Sequence, residues 1–457
     1  MFENKKILIL GFARSGYEAS KFLIKRNNEV ILNDGKELKD EDKDKYDELI
    51  KLGNDLGKPM TFVFGSHPDD LLDESFDYLI KNPGVPIDHK YVLMARELNI
   101  PVINEVEMAY LSIPKDKNIK VIGITGTNGK TTTTTLIYEF IKEQGLGVHL
   151  AGNIGYPLCS FIDKLEENDI IVMETSCQQL ENLDKYCPDV AVLTNISEAH
   201  IDFMKTYDHY KYVKSKIFKE HTSENVAVLN MENDEVMKIG KEIKSQIRYF
   251  SSKNEINGCY IKNGAIYYFE EKVVDISDIR LRGVHNLENI MAAVTAVKEF
   301  DVSNDAICSV LKRFTGVEHR LEFVREVNGV SYYNDTEATN IKCCQIALSS
   351  FSEPTVVILG GMERGQDFNE LKNYMGNVKA IIAIGTCRDR VQEFGDSLNI
   401  PTYSFEFLKD GFRKIPEIVE NGDVVVLSPA SASWDQYKEC EVRGAEFKKY
   451  VNELEEI

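Results

Sequence analysis

The chain has 457 residues, enough for about three domains of ordinary size. Its 43% hydrophobic and 28% charged residues exclude a disordered chain and a membrane-embedded one. A formal net charge of −20 argues against nucleic acid or anionic lipid as a partner of the whole surface, and leaves room only for a local basic pocket.

In chain order, MFENKKILIL runs straight into a strand-like segment, with no apolar stretch ending in a small-residue cleavage site. Short apolar runs recur at 7–10, 30–32, 121–124, 170–173, 190–193, 226–229, 356–359, 381–384 and 424–427. Runs without alternation suit strands buried on both faces of a parallel sheet, and the segments between them are long enough for crossover helices. The expected class is therefore α/β, as several doubly wound units in series. Breaks at LSIPKDK (111–117) and FTGVEHR (314–320) divide the chain into 1–112, 113–316 and 317–457. The Lys-, Asp- and Glu-rich stretch 34–47 reads as solvated, and alternation within 251–278 suggests a small antiparallel insertion. One uncharged run, 144–162, is long enough to span a membrane. It holds four Gly, a Pro, an Asn and a His, and makes a poor transmembrane helix. Nine Cys with no CxxC spacing read as reduced thiols of a cytoplasmic protein.

Near the N-terminus, Gly11, Ala13 and Gly16 occupy the glycine positions of a dinucleotide fingerprint, the middle one replaced, and Asp34 ends the next strand. Such a turn can seat NAD or any other diphosphate at a helix N-terminus. An NAD-linked oxidoreductase would also need a nicotinamide-facing catalytic group, and none is identifiable.

The strongest local signal is VIGITGTNGKTTTTTLIYEF, 121–140. An apolar strand leads into a glycine-rich turn, then Lys130 and Thr131, then a helix. Glycines let the backbone approach a phosphate, and helix amides face the anion. Lys130 can neutralise phosphate charge, and the Thr131 hydroxyl can ligate Mg²⁺. The general phosphate-loop spacing needs Gly where Ile124 stands, so the loop is a compact form, TGTNGKT. Glu174 follows the run IIVM and His200 follows VAVLTN, at strand ends where parallel sheets bind ligands. Each reads either as a companion of a Mg²⁺ held by Thr131 or as a solvated loop residue. Lys211, Lys214, Lys216 and Lys219 share one helical segment and by composition read as a solvated basic face.

TGTNGKT resembles the phosphate loop of the ATP-dependent Mur ligases. The resemblance continues through AGNIGYPL (151–158), METSCQQL (173–180), TNISEAHIDFM (194–204), GVHNLENIMAA (283–293), EHRLEF (318–323), YNDTEATN (333–340) and LSPASASWDQY (427–437). It implies an N-terminal Rossmann-like domain for UDP, a central P-loop ATPase-like domain, and a C-terminal Rossmann-like domain for an amino acid. The last two motifs, with the short chain, point to the branch that joins D-glutamate to UDP-N-acetylmuramoyl-L-alanine through an acyl phosphate. The implied setting is peptidoglycan precursor synthesis by a cytoplasmic monomer, with neither nucleic acid nor membrane insertion.

By the same resemblance, ATP lies on Gly126, Thr127, Asn128, Gly129, Lys130, Thr131 and Thr132, with further contacts from Asn289, Arg320 and Asp335. Two Mg²⁺ ions are held by Thr131, Glu174, His200 and Lys216, the last as a carbamate that supplies oxygen ligands. Lys130, His200 and Lys216 are the implied catalytic residues. The UDP substrate is assigned to Arg14, Ser15, Gly16, Asp34, Asn82, Gly84, Asn153 and His200. D-Glutamate is assigned to Thr339, Arg364, Ser433 and the Cys440 backbone, since two carboxylates need charge-assisted hydrogen bonds. Trp434 suits packing and ligand contact equally. One departure matters: the family usually carries Ser-Lys where Thr336-Glu337 stand. A second carboxylate beside a dicarboxylate substrate would repel it, so Glu337 is expected to turn away or to pair with a cation. A related ligase with another acceptor and a catalytically weakened nucleotide-binding regulator are the competing readings. The full set of motif residues argues against the second.

Overall fold

Every apolar run named above lies in one of three sheets of the computed structural model, which describes residues 2–199 and 201–455 and, at 202, the backbone alone. The first sheet holds β1 (Lys6–Leu10), β2 (Glu29–Asp34), β3 (Thr61–Phe64), β4 (Tyr78–Lys81) and β5 (Val102–Ile103). Its order is β3-β2-β1-β4-β5, all parallel. Ile7 and Ile9 point to one apolar layer, Leu8 and Leu10 to another. Burial on both faces explains why β1 does not alternate in polarity.

The second sheet holds β6 (Lys120–Thr125), β7 (Val148–Gly152), β8 (Ile170–Glu174), β9 (Val190–Leu193), β10 (Val226–Asn230), β11 (Gln246–Ser251), β12 (Gly258–Lys262), β13 (Ala265–Tyr268) and β14 (Glu271–Asp275). Its order is β14-β13-β12-β11-β10-β9-β6-β8-β7. The expected antiparallel insertion is β12–β14, which extends this sheet at one edge. The uncharged run 144–162 forms β7 and short turns, and among the described residues no helix is long and apolar enough to cross a membrane.

The third sheet holds β15 (Glu322–Val327), β16 (Val330–Asn334), β17 (Thr355–Gly360), β18 (Val378–Ile384), β19 (Thr402–Ser404) and β20 (Val424–Leu427). Its order is β15-β16-β20-β17-β18-β19, with only β15–β16 antiparallel. Both of its faces carry apolar layers.

The chain divides into two compact units: Met1–Ile276 with Leu287–Val310, and Ser277–Asn286 with Leu311–Ile457. The break expected at 112/113 separates two sheets but not two units. One apolar cluster runs from Ile9 and Phe22 through Val106 to Leu158 and Met173, so the first two sheets share a core. The connecting helix Glu105–Tyr110 is also tied into the second sheet's loops. Asn104 donates to Gln179 O at 2.6 Å, the Glu105 carboxylate accepts from Cys159 N at 2.8 Å, and Tyr110 Oη donates to Cys187 O at 2.7 Å.

Candidate active site

β6 ends at Thr125, and the turn 126–129 feeds the helix Lys130–Glu143. Gly126 and Gly129 both have positive φ, +151° and +81°. A Cβ on Gly126 would come within 2.0 Å of Thr194 Oγ1, and one on Gly129 within 2.1 Å of Asn289 Oδ1. Glycine is required at both positions by conformation and by space. Asn289, expected near the nucleotide, therefore sits against the phosphate loop. The segment after β9 clamps the loop from the other side. Thr194 Oγ1 donates to Asn128 O at 2.7 Å, Asn128 N donates to Asn195 Oδ1 at 2.9 Å, and Ser197 N donates to Thr127 Oγ1 at 2.9 Å. Lys130 Nζ donates to Thr127 O at 2.8 Å. Thr131 and Thr132 lie half-buried in the first helical turn.

Glu174 ends β8, which pairs with β6, and is 1% exposed. Its Oε1 accepts from Asn153 Nδ2 at 2.7 Å, while Oε2 is buried with no hydrogen-bond partner among the described residues. A buried orphan carboxylate oxygen, with Thr131 opening the helix after the neighbouring strand, is a hard-oxygen donor set of the kind that suits Mg²⁺. His200, expected as a third ligand, lies outside the described residues.

The lysine helix corrects the sequence reading. Lys214, taken there as solvated, is 1% exposed, and its amine donates to Thr125 Oγ1 at 2.9 Å. Burial pushes that amine down to about 7, and repulsion from Lys130 adds to the effect; Cys177 and Glu174 oppose it. Lys216 instead reaches Glu181 O at 2.6 Å. Burial lowers its amine too, but its charged neighbours are Glu181, Lys219, Asp184 and Glu107, not Glu174 or Lys130. Lys214, not Lys216, is the lysine at the phosphate loop. Tyr210, Val213 and Ile217 are buried on the same helical face, and residues two apart on a helix do not share a face.

The first sheet builds the other half of this unit's site. Asn82 Nδ2 donates to Gly11 O at 2.8 Å, and Ser15 Oγ donates to Asn82 Oδ1 at 2.6 Å. A Cβ on Gly16 would lie 2.1 Å from Gly11 O, so the second fingerprint glycine is set by close packing. Gly84 meets no such constraint: a Cβ there would touch nothing. A cavity of about 180 Å³ opens beside this turn, lined by Arg14, Ser15, Asn104, Asn153 and Gln179 among others. Asn153 thus touches both the cavity and the Glu174 carboxylate. A second cavity, about 220 Å³, is lined by Phe12, Asp34, Lys36 and Phe64. Asp34 is committed to the backbone there, accepting from Phe12 N at 2.8 Å and Lys36 N at 2.9 Å.

In the second unit, Asp335 is buried, accepting from Leu321 N at 3.0 Å and Ser428 Oγ at 2.8 Å. Burial pushes its carboxyl up to about 7 against those two hydrogen bonds. Arg320 Nη2 meets Glu337 Oε2 at 2.9 Å, so Glu337 is paired with a cation, one of the two outcomes expected of it. Thr339 is half-buried, with its N–H on Glu337 O at 2.8 Å. Arg364 is exposed, and its guanidinium lies 5.5 Å from the ring centroid of Trp434, which is itself 64% exposed. Trp434 is therefore not a packing residue. Ser433 is buried, and its Oγ lacks a hydrogen-bond partner among the described residues. The Cys440 carbonyl accepts from Thr336 Oγ1 at 2.8 Å.

Sequence reasoning missed Arg443. It is 1% exposed, with Nε on Thr336 Oγ1 at 3.0 Å and Nη2 on Thr336 O and Ser431 O at 3.0 and 3.1 Å. It ties the loop after β16 to the loop after β20. The available signal was its place on the buried stripe Arg443, Gly444, Phe447, Val451 of the helix Cys440–Asn452.

Residues 124–297 match the family model of the Mur ligase middle domain, and 319–431 that of the Mur ligase glutamate ligase domain. The chain is 41% identical over 455 residues to the UDP-N-acetylmuramoylalanine–D-glutamate ligase of Bacillus thuringiensis (strain Al Hakam), covering 99% of this chain and 98% of that one. The like-named protein of Bacillus anthracis gives the same identity and coverage. Among solved structures, the UDP-N-acetylmuramate–alanine ligase of Thermotoga maritima matches with a TM-score of 0.58 at 16% identity, over 98% of this chain and 100% of that one. A MurF ligase from the same organism, in complex with ADP, matches with a TM-score of 0.57 at 18% identity, over 93% and 95%. At such identities these two matches speak for the fold alone.

Proposed function

The chain belongs to the Mur ligase family, the ATP-dependent amide-bond ligases of peptidoglycan synthesis, and on that premise we propose that it joins D-glutamate to UDP-N-acetylmuramoyl-L-alanine, releasing ADP and phosphate. The observation that carries the choice of acceptor is the 41% identity, along 99% of the chain, to relatives named as D-glutamate ligases.

In the proposed reaction a carboxylate oxygen of the UDP substrate attacks the γ-phosphorus of ATP, and the bond to ADP breaks. The amine of D-glutamate then attacks the acyl carbon, phosphate departs with the carbon–oxygen bond, and the amine gives up a proton. Carboxylate and triphosphate repel each other, so the site must supply positive charge. Lys130, at the start of the loop helix, supplies part of it. Thr131 and Glu174, with His200 by the family resemblance, would hold Mg²⁺, which would supply the remaining positive charge. A carbamate forms only from a neutral amine, and Lys214 supports that reading through its burial and depressed basicity. As a carbamate, Lys214 would supply oxygen ligands of the kind that suit Mg²⁺. Arg14, Ser15 and Asn82 are assigned to the diphosphate, and Arg364 with Ser433 to the acceptor carboxylates.

The test is phosphate release from ATP with UDP-N-acetylmuramoyl-L-alanine and a panel of D- and L-amino acids. Release with D-glutamate and with no other acid is expected. Release with a different amino acid would make this a related ligase, and release that ignores the UDP substrate would overturn the reading.

A further inference from the structure

Lys81 is a second buried lysine of the first unit, and no step of the ligation uses it. It ends β4 with 1% of its surface exposed, and its amine donates to Val85 O at 2.7 Å and to Asn82 O at 3.4 Å. Among the described residues no carboxylate lies within ion-pair distance of it. Burial pushes the amine down to about 8, opposed by the charge of Glu181, so it keeps its proton at neutral pH. A buried ammonium without an ion-pair partner is destabilising, and an apolar side chain of similar length would fill the space without that penalty. Stability does not account for a lysine here; the turn that it holds does.

That turn is the one that shapes the diphosphate loop. Its backbone closes through Val85 N on Asn82 O at 3.0 Å, and Asn82 N hangs from Leu10 O at 3.0 Å. The Asn82 amide bridges Gly11 O and Ser15 Oγ, and a Cβ on Gly11 would come within 2.6 Å of its Nδ2, so there is no slack between them. Any drift of residues 82–85 moves the carbonyl and the hydroxyl that set the turn from Gly11 to Gly16. We propose that Lys81 is a positioning residue for the diphosphate end of the substrate pocket: its amine pins the carbonyls of Asn82 and Val85 and thereby fixes Asn82 against Gly11 and Ser15. The inference rests on the UDP reading of that pocket.

The test compares wild type, Lys81→Met and Lys81→Gln by calorimetric titration with UDP, by the KM for ATP, and by thermal melting. Lys81→Met keeps the length of the side chain and removes its donors. It should raise the UDP Kd about tenfold, the worth of one buried hydrogen bond, with the ATP KM within about twofold. Its melting temperature should be equal or higher, because an unpaired buried charge has gone. Lys81→Gln, with an amide N–H that can meet a carbonyl, should recover part of the affinity. Wild-type UDP affinity in Lys81→Met, or equal losses for UDP and ATP with a lowered melting temperature, would overturn the proposal. Should Lys81→Met not fold, amide exchange in the wild type decides: UDP should slow exchange at Val85, and unchanged exchange contradicts the coupling. A wild type that binds no UDP would remove the UDP reading itself. A wild type that binds it beside an unaffected Lys81→Met removes the positioning role alone.

Discussion

Beside the phosphate loop of the first unit Glu174 and Lys214 are buried, whereas the loop that carries Glu363 and Arg364 in the second unit exposes its charges. Glu174 and Lys214 are each 1% exposed, and burial holds the Lys214 amine down at about 7. Arg364 is exposed on a loop, and its guanidinium lies beside the face of Trp434. The proposed roles give this difference a physical reason. On the proposed reading the lysine must shed its proton to form a carbamate, and a low-dielectric setting favours the neutral amine. On the same reading an arginine that draws in the acceptor's carboxylates can stay at the surface, where its charge is kept without a desolvation penalty. Burial lowers the basicity of the Lys214 amine, whereas the Arg364 guanidinium stays exposed.

Predictions that break or sharpen this contrast run from large effects to small. Lys130→Ala should lose about 3–5 kcal/mol of transition-state stabilisation, roughly 150- to 5,000-fold in turnover, with an unchanged circular-dichroism spectrum. Near-normal phosphate release would remove the phosphate-loop assignment. Lys214→Ala should be nearly as damaging and partly rescued by acetate, whereas Lys216→Ala should stay within about fivefold of wild type, as loss of one backbone contact implies. Steady-state rates with and without acetate separate the two. Arg364→Ala should raise the acceptor KM by about 10–100-fold, the worth of one charge-assisted hydrogen bond, with a smaller change in kcat.

Asp335 offers a test by pH. Its folded carboxyl sits at about 7, above the ordinary 3.8, so the folded state binds more protons than the unfolded state between those values. Stability should therefore fall as pH rises through that window, and melting temperatures should drop by a few degrees for each kcal/mol lost. Asp335→Asn should flatten the slope; an unchanged slope would mean that another group carries it. The smallest effect is expected at Glu337. Because Arg320 already neutralises it, Glu337→Lys should change the D-glutamate KM by less than about fivefold, since an exposed pair contributes little.

What the sequence made legible was whatever is carried by consecutive residues. The phosphate loop, the fingerprint turn and the apolar runs of the sheets are local, and each stands in the structure where its pattern put it. Lys216 shows the limit. Four lysines on one segment look alike as a charge pattern, and only the face they occupy separates them. The signal was present: Tyr210, Val213, Lys214 and Ile217 follow the spacing of one buried helical face, which omits Lys216. Lys81 and Arg443 escaped for the opposite reason. A buried cation that binds backbone carbonyls needs no complementary charge in the sequence to announce it. The two-unit division was not readable either, because a shared core is a property of packing between sheets that no linker composition reveals.

The most direct measurement concerns Lys214. With ¹³C-bicarbonate supplied to wild type, Lys214→Ala and Lys216→Ala, the carbamate carbon is observed by ¹³C NMR and the modified residue is mapped by mass spectrometry. A carbamate signal present in wild type and in Lys216→Ala but absent from Lys214→Ala is the predicted result. A signal that survives in Lys214→Ala and disappears in Lys216→Ala would contradict the link between burial beside the phosphate loop and the chemistry assigned to it.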